Sequence, residues 1–321
     1  MKHFVIFLIS AALLRAGELL RLEDSAEAMG TAYTVVLYGE DQEKLEAAAA
    51  AAFDEVRRVD RMLSNYRPDS EWTRVNRMAG DGPVKVSAEL FALLERCLAY
   101  SRRSEGAFDI TVGPLMRVWG FYKGAGRLPA PEEVARARKT VGYANVILDA
   151  GQQTVRFRLP GVELDPGGVG KGYAVDRMVE VLKAHGIASA LVSAGSSSIY
   201  GLGHPPGETG WRVQIRHPRD WTRTVEEVVL HDESLSTSGD YEKFFEAGGK
   251  LYSHIMDPRT GSPASSGVVS VSVVAPSTLD SEVWAKPFFV LGRSWAARHK
   301  PQQLRVFLCE ETTELACAWL P

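Results

Sequence analysis

Cysteine, long apolar runs and blocks of like charge are all scarce in this sequence, and each scarcity narrows what the chain can do. The three cysteines, Cys97, Cys309 and Cys317, cannot all pair within the chain, and none stands at a metal-ligand spacing. Cys309 and Cys317 flank the polar segment EETTE in a predicted terminal hairpin, so a disulfide formed in an oxidising compartment and two small buried hydrophobes are both open readings. The apolar run Phe4–Leu14 is eleven residues long, whereas a bilayer needs roughly 20. Net charge is −3 with no long basic run, which argues against nucleic acid as a partner.

Familiar phosphate and nucleophile loops are missing as well. In ELDPGGVGKGYAVD (163–176), Gly170-Lys171 fits the end of a Walker A loop, but Asp165 stands at its first glycine and Gly172 at its hydroxyl. The dinucleotide pattern fails at Val175. The G-x-S-x-G elbow is absent from the chain. What survives is the physics of an anion site. Glycines let backbone N–H groups approach an anion, and Lys171, disfavoured in a first helical turn, is explained if an anion lies beside it. A solvated surface lysine is the competing reading.

With 45% hydrophobic and 24% charged residues, the chain can bury a sizeable core. Residues 1–17, MKHFVIFLISAALLRAG, have the basic, apolar and small-residue order of a secretory signal peptide, and no cysteine follows to carry a lipid. The expectation is an exported, periplasmic or extracytoplasmic protein, with 18–321 as its domain. Spacing predicts helices over 42–63, about 88–103 (Leu90, Leu93, Leu94, Cys97 and Leu98 on one face), after Pro131, from Gly172 to a C′ residue at Gly186, and about 279–291. Strands are predicted at 31–39, in the hairpin NVILDAGQQTVRFRL, in ALVSAGSSSIYGLG, WRVQIRH, TVEEVVL, KLYSHIMD and VVSVSVVA, and in the terminal hairpin. SNYRPDSEWTRVNR (64–77) reads as a polar and aromatic loop. The alternation of strands and helices in both halves gives an α+β unit of two related subdomains of mixed sheet and helices packed together.

Three further stretches carry chemistry. His254 in HIMDPRTG suits proton transfer near neutral pH, or it is a histidine bonded at a strand end; Asp257-Pro258 opens a turn that needs no function. STSGDYEKFF (236–245) is either a polar turn or a ligand-contacting loop. Tyr66, Phe108 and Trp119 suit stacking on a planar ring or a place in the core.

Taken in order, Met29-Gly30-Thr31, SNYRPDSEWTRVNR, GAFDITVGPLMRVWGF, ELDPGGVGKGYAVDRM, LSTSGDYEKFF, YSHIMDPRTG and FFVLG resemble the ApbE family, the FAD:protein FMN transferases, over roughly 29–310. The resemblance implies a T-fold-like α+β core and a transferase that moves the FMN moiety of FAD onto a threonine or serine hydroxyl of a flavin-acceptor redox protein, a membrane protein among the candidates, with release of AMP. It implies Mg²⁺ as cofactor. Carried over by position, Met29, Tyr66, Ala107, Phe108, Asp109, Asp165, Lys171, His254 and Ile255 contact FAD, and Gly168 offers its carbonyl to the metal. His254 deprotonates the acceptor hydroxyl with Asp257 as helper.

The match breaks in two places. Where the family carries Asp and, four residues later, Thr, this chain has Glu282 and Lys286. Glu282 keeps a carboxylate, but an ammonium has no lone pair for a metal. Lys286 therefore places its own charge where the divalent ion sits, or points elsewhere while Asp280 assists, or is a solvated residue paired with Glu282. SAGSSSIYG (193–201) replaces Gly-Gly-Asp/Asn, leaving Ser196, Ser197 and Ser198 to hydrogen-bond a ligand. Two rival functions follow: a non-catalytic FAD-binding protein with a degenerate metal site, and an FAD pyrophosphatase releasing FMN and AMP.

Overall fold

The structure, a computed structural model, describes residues 19–321 apart from Ala125 and Thr312, so the predicted signal peptide lies outside the described residues. Its centre is an eight-stranded sheet in the order Leu20–Ala28, Thr31–Gly39, Ser189–Ala194, Ser198–Leu202, Glu233–Gly239, Val268–Ala275, Arg305–Glu311, Leu315–Trp319. Every neighbouring pair is antiparallel. Each half has one plan, two strands, a helical crossover and two strands, which gives the two related subdomains a concrete form. In the second half the crossover is a single helical stretch, Thr278–His299; in the first it holds everything from Gln42 to Ala184.

Local signals explain the long helices. Asp41 caps helix Gln42–Leu63 by accepting from Lys44 N, and Ser87 caps Ala88–Arg103 by accepting from Leu90 N. Helix Gly170–Ala184 begins two residues earlier than its periodicity indicates and ends as predicted, with Gly186 at φ 78°. Strand Val268–Ala275 is buried at all eight positions because both sheet faces are covered. Val271 and Val273 face the helices, and Val269 and Val274 face the hairpin Trp211–His217 and Asp220–Leu230.

KLYSHIMD is two strands broken at His254-Ile255, STSGDYEKFF lies largely in strands Glu233–Gly239 and Phe244–Ala247, and two helix expectations are corrected as well. The supposed loop 64–77 contains helix Glu71–Met78, capped by Ser70, whose Trp72 is fully buried and donates Nε1–H to Leu164 O at 3.1 Å. The C-terminal helix does not end at 291. Gly292 (φ 78°, ψ 176°) breaks it and it resumes to His299, because Trp295 and Ala296 still have core to cover. Cys309 and Cys317 pair across the terminal hairpin and are joined as a disulfide, while Cys97 is free and buried.

Candidate functional site

The glycine loop ends where two helices cross. A Cβ on Gly172 would lie 2.5 Å from Thr278 O and 2.7 Å from Glu282 Oε2, so glycine there lets the start of helix Gly170–Ala184 meet the C-terminal helix. Gly172 N–H donates to Glu282 Oε2, a carboxylate from a distant segment serving a helix N-terminus. Asp176 ties the same helices, accepting from Thr278 N (2.6 Å) and Leu279 N (3.0 Å), and burial raises its carboxyl to about 6. No sequence signal marked Asp176.

Beside this crossing opens a small cleft of about 100 Å³. Ala107, Phe108, Asp109, Asp165, Gly168, His254, Ile255 and Lys286 of the predicted residues line it together. Ile110, Met116 and Met256 join them as apolar wall that motif reading passed over. Phe108 packs on bare loop backbone, since a Cβ on Gly168 would stand 3.2 Å from its ring.

The two acids of the lining are also bonded to the protein's own backbone. Asp109 is 5% exposed, and its oxygens accept from Thr111 N (2.8 Å), Thr111 Oγ1 (2.7 Å) and Tyr143 N (2.6 Å). It shapes the wall through the loop it ties. Asp165 accepts from Gly167 N at 2.8 Å and so fixes the turn before the glycines. Burial pushes both carboxyls above the usual range.

Three predicted contacts stand apart from the cleft lining. Met29 packs at the helix start, its Cε 2.9 Å from where a Gly170 Cβ would lie, and its sulfur accepts from Tyr33 OH at 3.2 Å. The Tyr66 ring is 78% exposed, next to Asn65, which donates to Asp165 Oδ2 at 3.4 Å. Lys171 donates to Ser197 Oγ, and Ser196 and Ser197 line a second hollow with Thr237, Tyr241 and Glu242. One serine of the family's broken motif, Ser197, thus holds the lysine.

His254 lies between the short strands Lys250–Ser253 and Met256–Asp257. Its Nδ1 faces Lys243 O at 3.1 Å. A carbonyl only accepts, so Nδ1 carries the proton and Nε2 keeps its lone pair. Burial lowers its pKa to about 4, with Lys243, Lys286 and Lys171 adding positive charge nearby. Asp257 does not act on His254 through a hydrogen bond: both its oxygens hold the Arg259 guanidinium at 2.9 Å. It positions the turn after the histidine.

The metal positions fit poorly. Glu282 is 2% exposed and its Oε1 has no hydrogen-bond partner. Lys286 Nζ stands 3.7 Å from that oxygen and donates to Glu282 O at 2.8 Å. Lys286 is thus paired with Glu282 as one reading held, but at 21% side-chain exposure it is not solvated. Burial holds its ammonium below the usual lysine range, and Glu282 pulls it back up. Mg²⁺ bonded to Oε1 at ~2.1 Å would lie within about 6 Å of that ammonium, a repulsion on the order of 5 kcal/mol at an effective dielectric near 20. Asp280 does not assist, because Tyr100 OH (2.5 Å) and Ser277 Oγ (2.8 Å) take its two oxygens. Among the described residues no group of three or more His, Cys, Asp or Glu is arranged to hold a metal ion.

The family model of ApbE matches residues 29–308. The chain belongs to the ApbE family. Similar ApbE relatives include the FAD:protein FMN transferase of Klebsiella pneumoniae, 33% identical over 91% of this chain and 85% of that protein. The protein of the same name from Treponema pallidum is 36% identical over 78% of this chain and 72% of its own. Among solved structures, the ApbE protein of Thermotoga maritima superposes with a TM-score of 0.85 at 28% identity, over 92% of this chain and 96% of that one. The flavin transferase ApbE of Vibrio cholerae does so with 0.83 at 28% identity, over 94% and 97%. The α+β architecture is therefore the ApbE fold.

Proposed function

We infer that this chain transfers the FMN moiety of FAD to a threonine or serine hydroxyl of an acceptor protein and releases AMP. The observation that carries the reading is one cleft in which a neutral histidine, a half-buried lysine and an aromatic wall meet beside a glycine-opened helix start, in a member of the ApbE family. FAD has two ring systems joined by a pyrophosphate. Phe108 and the methionines supply apolar surface for a ring, while Lys171, Lys286 and the loop N–H groups supply positive charge for the phosphates.

In the transfer, the acceptor hydroxyl oxygen bonds to the FMN-side phosphorus and the bond from that phosphorus to the AMP oxygen breaks. The hydroxyl proton goes to Nε2 of His254, and AMP leaves with the bonding pair. His254 suits this because its imidazole is neutral at pH 7 and its ring is fixed by Lys243 O. The divalent ion that the resemblance implies would neutralise phosphate charge; no step is assigned to it, since the donor set does not fit.

We place the protein outside the cytoplasm, its acceptor a redox protein there, soluble or membrane-bound. The signal-like start at 1–17 and the Cys309–Cys317 disulfide support this. No helix of the described residues is long and apolar enough to cross a membrane.

Incubation with FAD and a flavin-accepting redox domain tests the reading. The expected product is flavin fluorescence that stays on the acceptor through denaturation and is lost in His254→Ala, which still binds FAD. AMP and free FMN without acceptor would instead mark a pyrophosphatase, and bound FAD with no product a binding protein.

A further inference from the structure

We propose that the ammonium of Lys286 is the resident cation of this cleft, so that the pyrophosphate of FAD is met by two lysines, Lys171 and Lys286, in place of a lysine and a divalent ion. The proposal rests on the flavin-transfer reading and deepens it. Glu282 is an almost fully buried carboxylate, and Lys286 is its sole cationic partner within 4.0 Å among the described residues. A buried carboxylate needs a countercharge, and here one is attached to the same helix one turn later. The geometry fixes that charge: Nζ is held by Glu282 O at 2.8 Å, and its Cε lies 3.8 Å from where a Cβ on Gly168 would be, so the stem runs along the glycine loop.

Lys286 lines the cleft with Gly168 and His254, and thus faces the place where the base works. Its ammonium keeps donors free for a phosphate oxygen, because only Glu282 O accepts from it in the structure. Glu282 has a second attachment through Gly172 N–H. The carboxylate therefore links the lysine to the helix start that carries Lys171, and both cations are held on one rigid crossing. Lys286 loses no proton in the transfer; it donates hydrogen bonds to the pyrophosphate oxygens before the bond from phosphorus to the AMP oxygen breaks, and to the phosphate oxygens of the products afterwards.

The test measures FAD affinity by flavin fluorescence quenching, with metal content read by mass spectrometry on the full mature chain. The wild type is expected to carry no stoichiometric divalent metal and to bind FAD with affinities in EDTA and in excess Mg²⁺ that agree within roughly twofold. Lys286→Met is expected to weaken binding about tenfold or more, with no recovery on adding Mg²⁺, while Lys286→Arg retains most of it. Thermal melting checks that each variant is folded, and the EDTA comparison on the wild type stands even if Lys286→Met is not. Loss of FAD binding in EDTA with return in Mg²⁺, a divalent ion bound one to one, or an unchanged affinity in folded Lys286→Met would overturn the proposal. Absence of FAD binding by the folded wild type under both conditions would overturn the flavin reading itself, which separates the two failures.

Discussion

Replacing Gly172 by alanine probes the crossing on which the cleft is built. The new Cβ would meet Thr278 O at 2.5 Å, Glu282 Oε2 at 2.7 Å and Thr278 C at 2.8 Å, and two of these are backbone atoms that cannot rotate aside. Relief to an ordinary contact moves the C-terminal helix by about 0.9 Å. Overpacking of this kind costs about 1–3 kcal/mol. The same shift stretches the bond from Gly172 N–H to Glu282, and a hydrogen bond to a charged group contributes about 1.5–3 kcal/mol. With partial relaxation the total is about 2–4 kcal/mol, a fall in melting midpoint of roughly 3–6 °C for a chain of this size. Gly170→Ala is the control. Its Cβ meets only the Cε of Met29, at 2.9 Å, the far end of a flexible side chain, so a fall of less than roughly 1 °C is expected. Differential scanning fluorimetry on both variants, with and without FAD, decides the matter. Equal melting points for Gly172→Ala and Gly170→Ala would refute the close crossing.

Three other perturbations have definite outcomes. With Nε2 of His254 as base and its pKa near 4, transfer should stay level from neutral pH down to about pH 5 and fall as pH drops through about 4; an acid limb near 6.5 in the rate profile that is lost in His254→Ala would contradict the lowering by burial. Lys171→Ala should weaken FAD binding about tenfold or more, read by calorimetric titration, because a charged donor to phosphate is lost. Hydrogen bonds from Arg58 and Arg177 hold Glu55 down to about 2 from 4.5. The stability it adds is complete above pH 4.5 and is lost as pH falls through about 2. Glu55→Gln should cost about 1 kcal/mol in chemical denaturation at pH 7 after allowance for solvent screening, with the gap to wild type closing between pH 4.5 and 2; a gap that persists at the acid end would contradict it.

Local signals made much of this legible. Helices 42–63 and 88–103 carry their caps and apolar stripes in the sequence, and the structure begins and ends them there. Helix Glu71–Met78 was hidden because eight residues are too few for a clear period, although Ser70 stood ready as its cap. Gly292 misled for the opposite reason. It has the φ of a helix end, yet the core beyond it draws the chain back into helix. At the site, Lys171, Gly168 and His254 were readable as motif positions. Glu282 beneath Gly172 N–H and Ser197 against Lys171 were not, because those contacts join segments far apart in sequence. Asp257 shows the converse, an acid in a recognisable motif whose oxygens are spent on its own turn, and Asp109 divides its two between its own turn and the distant Tyr143 N.

The unequal crossovers of the two halves also set an order of assembly. In the second half Val273 pairs with Val306, a short loop to close; in the first, Val35 pairs with Val192 across the whole inserted segment. Closing the longer loop costs about 1.4 kcal/mol more in chain entropy, before any ordering of what it contains. The C-terminal four strands are therefore the natural nucleus, although they are synthesised last. Strand Thr31–Gly39, made early and covered on one side by Leu20–Ala28, must keep its other edge open until residues 189–194 arrive, and that waiting edge is where newly made chains are most exposed to sticking to one another.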